Sequence, residues 1–304
     1  MTFSKDLKIR TVIALTDKEA ADELERLIGG GGANSIWADS KADRPGTGTF
    51  ADPFRSLQSA VNAAQAIGAS ERKMIFVAAG STFDEDVVVT GGIMHITGLG
   101  PWTLGDGKGT FFNSTTPRNF TYNSDGSLPD SKWPSLILST IMDDETSSTH
   151  TAYLNGFTIS GDLIFNETNG ISHNIQLRNV KVQGNYTQTG VGGVQTYLRR
   201  CFFDNTFTGS STILNICDSC QFDGLVTVSQ HSRIWQCEFK SGMTTSGLIN
   251  SLPPNGIYET SFKGVFTGPA GSLLLDPVTN YFFNLNSASL AGGATKVLLH
   301  DLTI

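Results

Sequence analysis

The chain has 304 residues and a formal charge of 21 − 28 = −7, with 16% of residues charged and a pI near 5.2. A negative field gives no help to non-specific nucleic-acid or anionic-membrane binding. A charged fraction this far below the usual ~25%, together with 33 glycines, describes a surface of neutral hydrogen-bonding groups, as in extended all-β proteins.

No segment approaches the ~18 consecutive apolar residues of a membrane span. Near the start the apolar run is only TVIAL, short of the ~7–15 residues of a secretory h-region. Synthesis in a cytoplasm without a signal peptide is therefore expected. Four cysteines are too few for a disulfide framework.

Residues 16–28, TDKEAADELERLI, predict an amphipathic helix. Thr16 and Glu19 make a capping box, and Ala20, Ala21, Leu24, Leu27 and Ile28 share one face. Gly29 to Gly32 follow as a flexible joint. So short a helix is marginal alone, which marks residues 1–33 as a docking arm whose contact residues are Leu24, Leu27 and Ile28.

Residues 34–73 read as an entry turn and a second helix. Asp52 suits an N-cap and Pro53 the first helical position, and Phe54, Leu57, Val61, Ala64 and Ile67 form the buried stripe. Residues 74–100 are short β-branched runs broken by glycine, at strand period.

From about residue 152 to 264 the chain repeats the pattern apolar-x-x-apolar-x-apolar. Copies begin at Leu154, Leu177, Leu198, Cys217, Ile234 and Ile257, spaced by 23, 21, 19, 17 and 23 residues. Degenerate copies of about twenty residues signal a solenoid, and one strand per copy turning at glycine describes a parallel β-helix over residues 74–304. One inward column then reads Ile159, Val182, Phe203, Phe222, Phe239, Phe262. Its neighbour reads Phe157, Val180, Cys201, Cys220, Cys237, Thr260, while Cys217 takes a slot held elsewhere by Leu or Ile. Buried cysteines act as small hydrophobes. A ladder sets them along a line rather than around a point, so no metal and no cofactor is expected from the C-x-x-C pair Cys217 and Cys220.

The stretch WADS…GTGTFADPFRSLQSAVNAA, followed by IFVAAGSTFDEDVVV, resembles the opening of pectin-lyase-like right-handed parallel β-helices, as in bacteriophage tailspikes. Trp37, Asp39, Gly48, Pro53, Phe54, Leu57, Ala60, Val61, Val77, Gly80, Phe83 and Val87 carry the match. The resemblance implies an all-β, right-handed, single-stranded solenoid whose open end is capped by the second helix. It also implies a homotrimeric virion protein, a capsid decoration or tail appendage, that contacts capsid or tail proteins and host surface polysaccharide.

Enzymes of this shape work across outward-facing rungs. Asp204 and Asp223 fall on adjacent rungs with Glu238 in the next outward column. In-register carboxylates ~5 Å apart suit a retaining glycosidase, and mutual repulsion would raise one pKa. These three residues are the catalytic candidates of a depolymerase reading; the alternative is a solvated row offset by Lys240, and it is preferred. Asp143, Asp144, Glu145 and His150 lack the spacing of a Ca²⁺ loop, His95, His173, His231 and His300 stand singly, and GLGPWTLGDGKG fails as a P-loop. The sequons at Asn113, Asn119, Asn166 and Asn185 are chance in so Asn-rich a chain. Residues 99–134 read as a long irregular loop, with Trp102, Phe120, Tyr122 and Trp133 offered to a glycan, to a neighbouring subunit, or to the solenoid wall.

Overall fold

The computed structural model describes residues 35–67, 73–90, 94–105, 117–123, 150–166, 173–189, 194–245, 256–258, 260–267, 283–284 and 288–291. The expected arm over 1–33, Trp133 and the acidic run Asp143 to Glu145 lie outside these residues. Among the described residues no helix is long and apolar enough to cross a membrane.

The architecture is all-β and parallel, with one described helix. Strands pair in three ladders that the chain visits in constant order before returning to the first. The first ladder joins Ser35–Ala38 to Lys73–Val77, then to the start of Met94–Leu104, and on through His150–Ile159, His173–Arg178 and Val194–Arg199. The second links short strands such as Lys181–Val182, Phe202–Phe203, Gln221–Phe222 and Glu238–Phe239. Val87–Thr90, Phe120–Asn123, Leu163–Asn166 and Tyr186–Thr189 open the third. β-Branched and aromatic residues are frequent in these segments and burial alternates along them, as in Val87–Thr90 and Phe120–Asn123.

Both expected columns form, inward as far as Phe239 in the first. Ile159, Val182, Phe203, Phe222, Phe239 and Phe262 are successive register partners. Phe203 stacks on Phe222 with centroids 5.1 Å apart, and Phe222 on Phe239 at 4.7 Å. Phe157, Val180, Cys201, Cys220, Cys237 and Thr260 are all buried beside them. Cys217 pairs with Leu198 on one side and Ile234 on the other.

Between the first and second ladders the chain turns sharply. The turning residue is left-handed on five consecutive rungs: Gly156, Asn179, Arg200, Ser219 and Gln236, with φ of 82, 52, 52, 55 and 51°. Only glycine, and to a lesser degree asparagine, adopts this conformation cheaply. The amides of Asn179, Arg200 and Ser219 donate to Arg199 O, Asp218 O and Trp235 O on the following rung, at 3.0, 2.9 and 2.9 Å. Rung-to-rung bonding therefore holds side-chain-bearing residues where a free chain would want glycine.

Helix α1 spans Leu57–Ala66, not 52–67, and its N-cap is Ser56 rather than Asp52. Asp52 is held instead by Arg44 Nε at 2.7 Å and Thr47 Oγ1 at 3.0 Å. Glu85, from the loop beneath the helix, accepts from Leu57 N at 2.6 Å and from Ser56 Oγ at 2.8 Å, and so sets the true start. Leu57, Ala60, Val61 and Ala64 are buried on one face, with Phe54 and Ile67 packed against the core. The Gln58 side chain donates to Val88 O at 3.0 Å and accepts from Val88 N at 2.7 Å. Those groups lie on the outer edge of the first strand of the third ladder, so α1 covers an edge that would otherwise invite pairing.

Candidate functional site

Where it is described, the stretch expected to be a long loop contributes strands instead. Thr97 pairs with Asn155 and Trp102 with Phe157, leaving Gly98 to Pro101 opposite Gly156 alone. That bulge breaks the apparent periodicity and accounts for the irregular look of the sequence. Trp102, Phe120 and Tyr122 are 1, 1 and 5% exposed. Trp102 stacks on Phe157 at 4.5 Å, and Tyr122 packs 5.9 Å from Phe165. These three rings belong to the core, which corrects their assignment to a glycan or subunit contact.

Part of the exposed apolar surface lies next to the bulge. Leu99 and Phe202, 47 and 45% exposed, flank an open groove of about 730 Å³ that also takes in Asn179, Lys181 and Arg200. Sequence reasoning missed it because the groove needs both the bulge and the left-handed corners, and neither leaves a recognisable motif.

The outward carboxylates stand on adjacent rungs as expected. The amides of Asp204 and Asp223 donate to Val182 O and Phe203 O on successive rungs, each at 2.9 Å. Each carboxylate faces a lysine: Asp204 with Lys181 Nζ at 3.0 Å, Asp223 with Lys240 Nζ at 2.9 Å, and Glu238 with Lys263 Nζ at 2.5 Å. Burial alone would raise the Asp223 carboxyl, but hydrogen bonds from Lys240 and Gln221 override it and hold the group below its ordinary value. A general acid near neutrality needs the opposite shift. Sequence spacing had marked Lys240 as an offset; it did not reveal that every carboxylate of the row has its own cation.

The four cysteines are free and buried. Cys201, Cys220 and Cys237 each follow a left-handed corner residue, and each thiol donates to the carbonyl two residues back: Arg199 O at 3.3 Å, Asp218 O at 3.2 Å and Trp235 O at 3.1 Å. These are the same carbonyls that accept the corner amides, so the thiols use the second lone pair of each. A small side chain with a weak donor fits that duty. Burial pushes the Cys217 and Cys220 thiols well above the usual range. One expectation is corrected here. The column runs along a line, but Cys217 reaches across the corner, and the Sγ atoms of Cys217, Cys220 and Cys237 all lie within 4.8 Å of one another.

Polar side chains also form ladders. Asn166 Nδ2 donates to Asn123 Oδ1 at 2.8 Å, Asn166 Oδ1 accepts from Thr189 Oγ1 at 2.7 Å, and Asn185 Oδ1 accepts from Thr206 Oγ1 at 2.7 Å. With Asn119, whose Oδ1 accepts from Asp162 N at 2.8 Å, three of the sequon asparagines are thus engaged in rung-to-rung bonding. Neither family models, nor curated proteins, nor solved structures yield a match to this chain.

Proposed function

We propose that the chain is a structural component of a bacteriophage virion, a capsid decoration or tail appendage, folded as a right-handed parallel β-helix of the pectin-lyase-like kind. Three parallel ladders visited in constant order, with a helix over the first edge, support the β-helix reading. In this reading residues 1–33 dock the protein on the particle, three copies assemble, and the solenoid projects outward. Host glycans are met at the groove between Leu99 and Phe202 rather than at the buried rings of Trp102, Phe120 and Tyr122.

One observation carries the preference for a structural role over a depolymerase. The carboxylates available for glycosidic chemistry, Asp204, Asp223 and Glu238, are each tied to a lysine, and a carboxylate neutralised in this way braces neighbouring rungs rather than donating a proton. The test is incubation with capsular polysaccharide from the host, followed by assay for new reducing ends and for unsaturated sugar. No product is expected. Product that disappears in Asp204→Asn or Asp223→Asn would overturn the structural reading.

A further inference from the structure

Three of the four cysteines meet at a point, although the column that holds most of them needs only one small side chain per rung. Cys217 is the residue that makes the difference. Its neighbours in the first inward column are Leu198 and Ile234, so an aliphatic side chain fits that slot on the rungs either side. With a thiol there, Cys217 Sγ comes within 3.5 Å of Cys237 Sγ across the left-handed corner. Cys220 completes the group, and its own amide donates to Cys237 Sγ at 3.4 Å, the kind of bond that stabilises negative charge on a coordinated sulfur.

We propose that Cys217, Cys220 and Cys237 form a three-thiolate site for a soft, thiophilic cation of the Cu⁺ or Zn²⁺ class. Metal–thiolate bonds of ~2.3 Å place three sulfurs around one ion at separations of roughly 3.8–4.0 Å, so a set already within 4.8 Å needs only side-chain adjustments of less than about an ångström. Thiolate sulfur selects soft metals over Mg²⁺ or Ca²⁺. Cys201 lies outside the set whose sulfurs are all within 4.8 Å of one another, which leaves three sulfurs rather than four. Loading replaces three S–H bonds by three metal–sulfur bonds and releases three protons to solvent; no electron is transferred. For Zn²⁺ the balance is 3 RSH + Zn²⁺ → [Zn(SR)₃]⁻ + 3 H⁺, and for Cu⁺ the complex carries one further negative charge. Burial of all three sulfurs means that the ion enters as the chain folds.

The full chain is expressed in medium supplemented with Zn²⁺ or with Cu²⁺, which cells reduce to Cu⁺, and purified under reducing conditions. Bound metal is measured by elemental analysis and by the ultraviolet thiolate-to-metal charge-transfer band. About one ion per chain is expected from one supplement, the more fully occupied ion identifying the native class. Cys217→Leu, which restores the residue type of the neighbouring rung, folds and loses bound metal by at least about tenfold, and Cys201→Ala keeps it. A folded wild-type chain with four titratable thiols in denaturant and no bound metal from either supplement would overturn the site. So would a Cys217→Leu variant that holds metal as well as the wild type.

Discussion

The Phe222 ring stacks on the Phe239 ring with centroids 4.7 Å apart and planes 11° from parallel. Phe203 lies against its other face at 5.1 Å. A ring held on both faces by equivalent rings of neighbouring rungs gains dispersion on each side. Phe222→Ala opens a cavity that rigid neighbours cannot close, and a loss of about 3–5 kcal/mol is expected in denaturant-unfolding measurements. Phe222→Leu, which keeps most of the volume, should lose clearly less.

The left-handed corners give a prediction of opposite sign. Arg200 and Gln236, with φ of 52 and 51°, hold a conformation that costs a side-chain-bearing residue about 1–2 kcal/mol. Arg200→Gly and Gln236→Gly relieve that strain at some entropic cost, and each should stabilise the fold by about 0.5–1 kcal/mol. Gly156 has φ 82° and room for a Cβ in ordinary van der Waals contact, its nearest atom 3.8 Å away. Gly156→Ala therefore loses only the backbone term, about 1 kcal/mol. At Gly184 an added Cβ would stand 2.4 Å from the Gly161 backbone. Gly184→Ala must push two rungs apart and should lose about 1–3 kcal/mol. Thermal or chemical unfolding of the four variants checks the order.

The start of α1 depends on a residue remote in sequence. Glu85 accepts from Leu57 N and Ser56 Oγ, so Glu85→Ala leaves first-turn donors without their acceptor. A loss of about 1–2 kcal/mol is expected. Protection of the α1 amides against hydrogen exchange should fall before that of the ladders.

The ion-paired row predicts a pH dependence. Asp223 has a folded pKa below its usual value. Its pairing therefore contributes stability that is complete above the unfolded pKa of ~3.9 and is lost as pH falls through the lower folded value. Lys240→Met should lower the melting temperature slightly near pH 7, since exposed pairs are individually weak. As pH falls through the folded value of Asp223, the melting temperatures of the variant and the wild type should converge. A gap that persists in acid would show that Lys240 acts through packing instead.

Much of this was legible because stacked rungs repeat their chemistry. Leu154, Leu177 and Leu198, and the phenylalanines from Phe203 to Phe239, announce their columns through side-chain type alone. The corners were not legible, since Arg200, Ser219 and Gln236 are not residues that favour positive φ; the following rung imposes it. Asp52 and Ser56 are both reasonable caps by composition, and the choice between them is made by Glu85, 29 residues after Ser56. The sequence left Trp102 open between a contact and the solenoid wall because the Gly98 to Pro101 bulge hides the strand on either side. The thiol group escaped a column-by-column reading because Cys217 and Cys237 meet diagonally, between columns and between rungs.

The claim that organises the outward face is that its carboxylates brace the rungs and perform no acid chemistry. A side-chain carboxyl NMR titration of the intact protein tests it most directly, with Asp223 assigned by comparison with Asp223→Asn. The account predicts an inflection below the usual 3.8. An inflection above about 5, approaching the range of a working general acid, would contradict it.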